Sequence, residues 1–159
     1  MARSDIFLKL DGIDGESQDQ AHKDEIEVES YTMGVVNAGA GGGSGPGKAM
    51  VNDMHLTMKV NKASPNVFIA CCTGKPISTA TVTVRKSGGQ SPVEYETVKL
   101  TNVYVSSISK ATHSDGEIGL ENVSLTFAKI EYTYRPQTKS GIADAAITKS
   151  YDIKANKAS

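Results

Sequence analysis

The chain has 159 residues, 17 basic and 18 acidic side chains, and no tryptophan. That length suits one domain burying about 70% of its unfolded surface. The even charge and few aromatics leave no basic footprint or stacking platform for nucleic acid, and no stretch of about 18 apolar residues offers a membrane span.

Taken in chain order, period-two alternation dominates. Ile6, Leu8 and Leu10 share one face of a first strand, and Ile26 and Val28 alternate with Glu25, Glu27 and Glu29 in a second. Met50, Met54, Leu56, Met58 and Val60 alternate with Asp53, His55, Thr57 and Lys59 in a third. Ala80, Val82 and Val84 alternate with threonines in a fourth. A long β-prone run from Val93 to Ile108 carries a bend at Thr101–Asn102. Val123, Leu125 and Phe127, continued by Ile130, Tyr132 and Tyr134, mark another strand, and Ile147, Tyr151 and Ile153 a last one. Branched and aromatic residues at this spacing fit half-buried strands.

One stretch breaks the pattern. Ser64 to Gly74 reads SPNVFIACCTG. Ser64 is placed to cap a helix, Pro65 fits its first position, Gly74 supplies a left-handed stop and Pro76 prevents a restart. Many strands and one short helix predict a mainly β fold, a two-sheet barrel or sandwich with the helix on its side.

The stretch Gly41 to Ala49 reads GGGSGPGKA and contains G-x-x-x-x-G-K from Gly42 to Lys48. A phosphate-binding loop needs Ser or Thr after the lysine and a helix starting there. Here Ala49 follows, the next residues alternate with a strand period, and Pro46 removes an amide from the cradle. The stretch is therefore read as a long loop between strands, with nucleotide or small-molecule binding through Gly42–Lys48 as the alternative.

The other chemistry is sparse. Asp11 to Glu16 lacks the ligand register of a calcium loop and reads as a solvated turn. His22, His55 and His113 sit in no ligand motif. Cys71 and Cys72 are adjacent, cannot bridge each other without severe strain, and read as buried packing groups. No catalytic residue, metal or cofactor is assigned. The N-terminus MARSDIFLKLDG has no signal-peptide core.

Three stretches together carry a resemblance. DIFLKLDGIDGES (Asp5 to Ser17) precedes His22 and Glu25-Ile-Glu-Val28. Lys62-Ala-Ser-Pro65 precedes Cys71-Cys-Thr-Gly-Lys75. Val103-Tyr-Val-Ser-Ser-Ile-Ser109 precedes Glu121-Asn-Val-Ser-Leu-Thr-Phe127 and Tyr132-Thr-Tyr-Arg-Pro-Gln137. In this order they resemble the haemolysin-coregulated proteins (Hcp), tube subunits of bacterial type VI secretion systems, over nearly the whole chain. A departure is Tyr31-Thr-Met-Gly34, where many relatives carry a tryptophan-containing pair.

The resemblance implies a compact two-sheet barrel and a homo-hexamer whose rings stack into a hollow tube. It implies as partners a spike protein of the valine-glycine-repeat family, a contractile sheath and baseplate, and effector proteins in the lumen. It implies folding in the cytoplasm and export without a cleaved signal. Nothing follows Ser159, so toxicity is expected to come from cargo and not from a fused domain. The loop from Gly39 to Lys48, with Gly41, Gly42, Gly43, Ser44, Gly45, Pro46 and Gly47, is expected to contact an adjacent subunit or the ring stacked on it.

Overall fold

The computed structural model describes residues 4–39, 47–86, 92–137 and 144–159. The chain forms β1 (Ser4–Leu10), β2 (Ile26–Val28), β3 (Ser30–Thr32), β4 (Val35–Val36), β5 (Met50–Val51) and β6 (Met54–Lys59), then α1 (Ser64–Thr73). There follow β7 (Ile77–Lys86), β8 (Val93–Ala111), β9 (Leu120–Thr126), β10 (Lys129–Tyr134), β11 (Ile147–Asp152) and β12 (Lys157–Ala158).

Every pairing between these strands is antiparallel. A large sheet runs β12-β11-β10-β8-β7-β1-β2 and a small one β3-β6-β9-β8. Strand β8 belongs to both. Its first half pairs β7 and β10, and its second half pairs β9. The transfer occurs at Asn102, whose φ of 54° lies in the left-handed region that asparagine tolerates, followed by a register shift between Val105 and Ser107. The bend expected at Thr101–Asn102 is thus the corner of the barrel. A second corner lies where β2 passes into β3.

The inward faces supply the core. Leu8, Ile26, Met54, Leu56, Met58, Val82, Val98, Leu100, Val103 and Leu125 are essentially inaccessible. Each such aliphatic side chain contributes about 2 kcal/mol relative to exposure. The alternation expected of β6 is the alternation found, while on β1, β7 and β9 Phe7, Thr83 and Ser124 are buried at the opposite parity as well.

Two expectations are corrected. The third strand is not continuous: Met50 lies in β5, which pairs β4, and the chain breaks at Asn52–Asp53 before β6. The strand expected to continue past Phe127 also divides. Phe127–Ala128 separates β9 in the small sheet from β10 in the large one.

The helix start differs as well. Ala63, not Ser64, occupies the cap position, and Ser64 and Pro65 are its first two residues. Asn61 Oδ1 accepts from the Ala63 amide at 2.8 Å, forming the local turn that begins the helix. The Ser64 hydroxyl is engaged elsewhere. It accepts from the Asn61 amide at 2.9 Å and donates to Glu121, a carboxylate buried on β9. Gly74 has φ 67° and donates its amide to Ala70 O, so the expected stop holds. Val67 and Ala70 are buried beneath the helix, which packs on β8.

Glu121→Ala should therefore cost about 2 kcal/mol, because it strands the Ser64 hydroxyl in a dry site. Urea unfolding at fixed protein concentration measures this. A loss below about 0.5 kcal/mol would show that Glu121 does not hold the helix start.

Candidate assembly surface

The neck of the Gly-rich loop is a small apolar hairpin. Val35 opposes Val51 and Val36 opposes Met50. Asn37 ties the two sides together. Its Nδ2 donates to Gly47 O at 2.8 Å, and its Oδ1 accepts from the Gly39 amide at 3.2 Å. The strands approach so closely that a Cβ on Gly47 would lie 2.9 Å from Gly39 N, so only glycine fits. Of the expected contact residues, Gly39, Gly47 and Lys48 sit at this neck, and Lys48 is exposed. Gly41, Gly42, Gly43, Ser44, Gly45 and Pro46 lie outside the described residues.

After Lys48 the chain enters β5, with no helix to aim amides at a phosphate. The hairpin instead offers apolar surface. Val35, Val36 and Met50 are 62%, 53% and 66% exposed. At its foot lies a groove of about 360 Å³ lined by Met33, Val35, Val51, Phe127, Ile130 and Tyr132. Beyond the groove Tyr134 and Ile147 continue the exposed apolar surface across β10 and β11. Tyr132 donates to Glu96 at 2.7 Å, and this bond above all, with burial, pushes its hydroxyl up to about 12. At neutral pH Tyr132 is a fixed donor on an otherwise greasy ledge.

The small sheet presents the opposite chemistry on its outer face. His55 Nδ1 meets Ser124 Oγ at 2.7 Å, Thr57 donates to Asn122 at 2.9 Å, and Ser106 donates to Asp53 at 2.7 Å. Ser30, Thr32 and Thr126 extend this polar, weakly charged surface. Among the described residues no strand pairs the outer edge of β3 or the outer edge of β8 from Tyr104 to Ala111.

The remaining candidates fall apart in space. His22 is buried beside Phe7, His55 lies on β6, and His113 is exposed. Among the described residues no three His, Cys, Asp or Glu side chains converge as metal ligands. Cys71 packs against the core, but Cys72 is exposed on the outer side of α1, which corrects its reading as a packing group. Asp11 is tied to Ser78, and Leu10 bridges Ile13, so Asp11–Glu16 is a turn closing β1. Sequence reasoning missed Val35, Val36 and Asn37. The available signal was Val-Val before the loop mirrored by Met-Val after it.

Residues 7–134 match the family described as "Type VI secretion system effector, Hcp". Protein hcp1 of Pseudomonas aeruginosa is 37% identical over 156 residues, covering 96% of each chain. The chain belongs to the Hcp family. The crystal structure of Hcp1 from Salmonella typhimurium superposes with a TM-score of 0.80 at 38% identity, covering 100% of both chains. A type VI secretion system effector from Yersinia pestis gives 0.74 at 32% identity, covering 93% of this chain and 99% of that one. The strand-rich barrel with one lateral helix is thus the Hcp fold. In this Hcp, Tyr31 and Met33 stand in the departing segment, and both pack half-buried against the core. No helix among the described residues is long and apolar enough to cross a membrane.

Proposed function

We propose that this Hcp is a structural tube subunit of a type VI secretion system, without catalytic activity of its own. Six copies close into a ring, and rings stack into a hollow tube that can carry effector proteins. The observation that carries the reading is a family match across the barrel combined with apolar surface that a lone subunit leaves in water. The apolar surface running from Val36 and Met50 to Tyr132, Tyr134 and Ile147 is unlike the polar, open-edged small sheet of the same chain. Heterologous contacts between unlike patches generate rings when the rotation closes. The open edges of β3 and β8 support the same geometry, because edge pairing between neighbours removes an aggregation hazard. Such pairing would join the small sheets of neighbouring subunits into one continuous wall with a polar outer face.

In this reading the loop from Gly39 to Lys48 contacts an adjacent subunit or the ring stacked on it. The spike protein, contractile sheath and baseplate are the partners that the Hcp role requires. The subunit folds in the cytoplasm and leaves by the apparatus.

Negative-stain electron microscopy of the purified chain tests the ring. Six-fold particles with a central hole are expected, and small particles without symmetry at micromolar concentration would refute the assembly. Deleting Gly41–Gly47 should leave rings intact and shorten or abolish stacks. Stacks of unchanged length would remove the loop from the interface.

A further inference from the structure

The segment from Asp11 to Glu25 leaves the large sheet after β1 and returns at β2. His22 in this segment is 7% exposed. Its ring stacks on Phe7, with centroids 4.3 Å apart and planes 10° from parallel. Both ring nitrogens face carboxylates: Nδ1 is 3.0 Å from Glu25 Oε2, and Nε2 is 2.5 Å from Glu94 Oε1. Glu25 belongs to the same segment, whereas Glu94 stands on β8.

An ionised carboxylate only accepts, and a neutral imidazole carries one N–H. Only the imidazolium can donate to both partners. We infer that His22 is a proton-operated clasp that ties the 11–25 segment to β8 when its ring carries two protons and releases Glu94 when it carries one.

The charged groups around the ring come from its own segment, from β8 and from β7. From its own segment His22 meets Glu25, with Asp19 nearby, while Lys23 and Asp24 beside it in sequence are exposed. From β8 it meets Glu94. Beyond Phe7, Arg85 on β7 lies 5.0 Å from the ring centroid and pairs Asp19 and Asp5. Arg85 thus serves Asp19 and Asp5, whereas Glu25 and Glu94 face the His22 ring. The choice of which bond breaks follows from exposure. The Glu25 side chain is 15% exposed and the Glu94 side chain 42%, so Glu94 recovers water more readily. The remaining N–H stays with Glu25, and the Nε2 lone pair then faces the Glu94 carboxylate. The clasp is closed on the acid side and opens as pH rises.

The test is Glu94→Ala, followed by urea unfolding at about pH 5.5 and about pH 8.5 and fixed protein concentration, in wild-type and His22→Gln backgrounds. At the lower pH the substitution should reduce the folded-to-unfolded ratio about fivefold, modest because Glu94 is partly exposed. At the higher pH the effect should vanish or change sign, since a repulsive contact is removed. His22→Gln should erase the difference between the two pH values. An equal loss at both, or a pH dependence that persists without His22, would overturn the clasp. If His22→Gln does not fold, the comparison of Glu94→Ala with wild type at the two pH values decides alone.

Discussion

Arg85→Ala is expected to lower stability by about 3 kcal/mol, one of the two largest effects among the substitutions considered. The guanidinium grips Asp19 with two nitrogens, at 3.1 and 2.5 Å, and reaches Asp5 at 3.2 Å. Its side chain is 11% exposed and stands over the Phe7 ring. Removing it leaves two partly exposed carboxylates without their shared cation and uncovers one face of Phe7. Arg85→Lys should recover only part of the loss, because an ammonium cannot reproduce the fork.

The same pair predicts an acid limb. The hydrogen bonds from Arg85, more than any other influence, hold the Asp19 carboxyl down at about 2, against an ordinary 3.8, while burial opposes the shift. A folded-state value below the unfolded one means stability that is present above the ordinary value and lost as pH falls toward 2. Urea midpoints of the wild-type chain should therefore fall between about pH 4 and pH 2, and Arg85→Ala should show a flatter limb there. Parallel limbs would show that Asp19 draws no stability from Arg85.

The second large effect concerns assembly. Val36→Asp combined with Met50→Asp should weaken ring or stack formation about a hundredfold or more while leaving the barrel folded. Both residues are more than half exposed in the subunit, so the barrel itself should change by about 0.5 kcal/mol or less. In an interface each carboxylate would be desolvated against apolar surface. Mass photometry and sedimentation at micromolar concentration report the assembly, and thermal unfolding reports the fold. Rings and stacks of wild-type stability would place the hairpin outside every contact.

Chain-order alternation made most of the barrel legible, because an inward position on a two-layer fold must be apolar and the period of a strand is two. Met50 shows where this fails. It shares the parity of Met54, Leu56 and Met58, yet it sits on a hairpin in water. Parity separates two faces of a strand but does not say which face meets the core. Phe7 fails in the opposite sense. It shares a face with Lys9, which reads as solvent, and is buried because the segment after β1 folds back over it. Glu121 was legible in principle, since a carboxylate at the parity of Val123 and Leu125 announces a buried partner. Its partner, Ser64, lies 57 residues away, and only the packing of α1 beside β9 brings them together.

The sequence by itself determined the strand-rich class, the single helix with its glycine stop, the corner at Asn102 and, through the order of its motifs, membership of the Hcp family. These are local or ordered features, carried by residue type and spacing. Tertiary structure alone decided that Val36 and Met50 face water, that Arg85 unites Asp5 with Asp19, and that His22 stands between Glu25 and Glu94. Each joins residues through strand register, and a register shift of one residue sends every side chain to the other face. Spacing along the chain therefore cannot foretell these meetings, because the closing of two sheets into one barrel sets them.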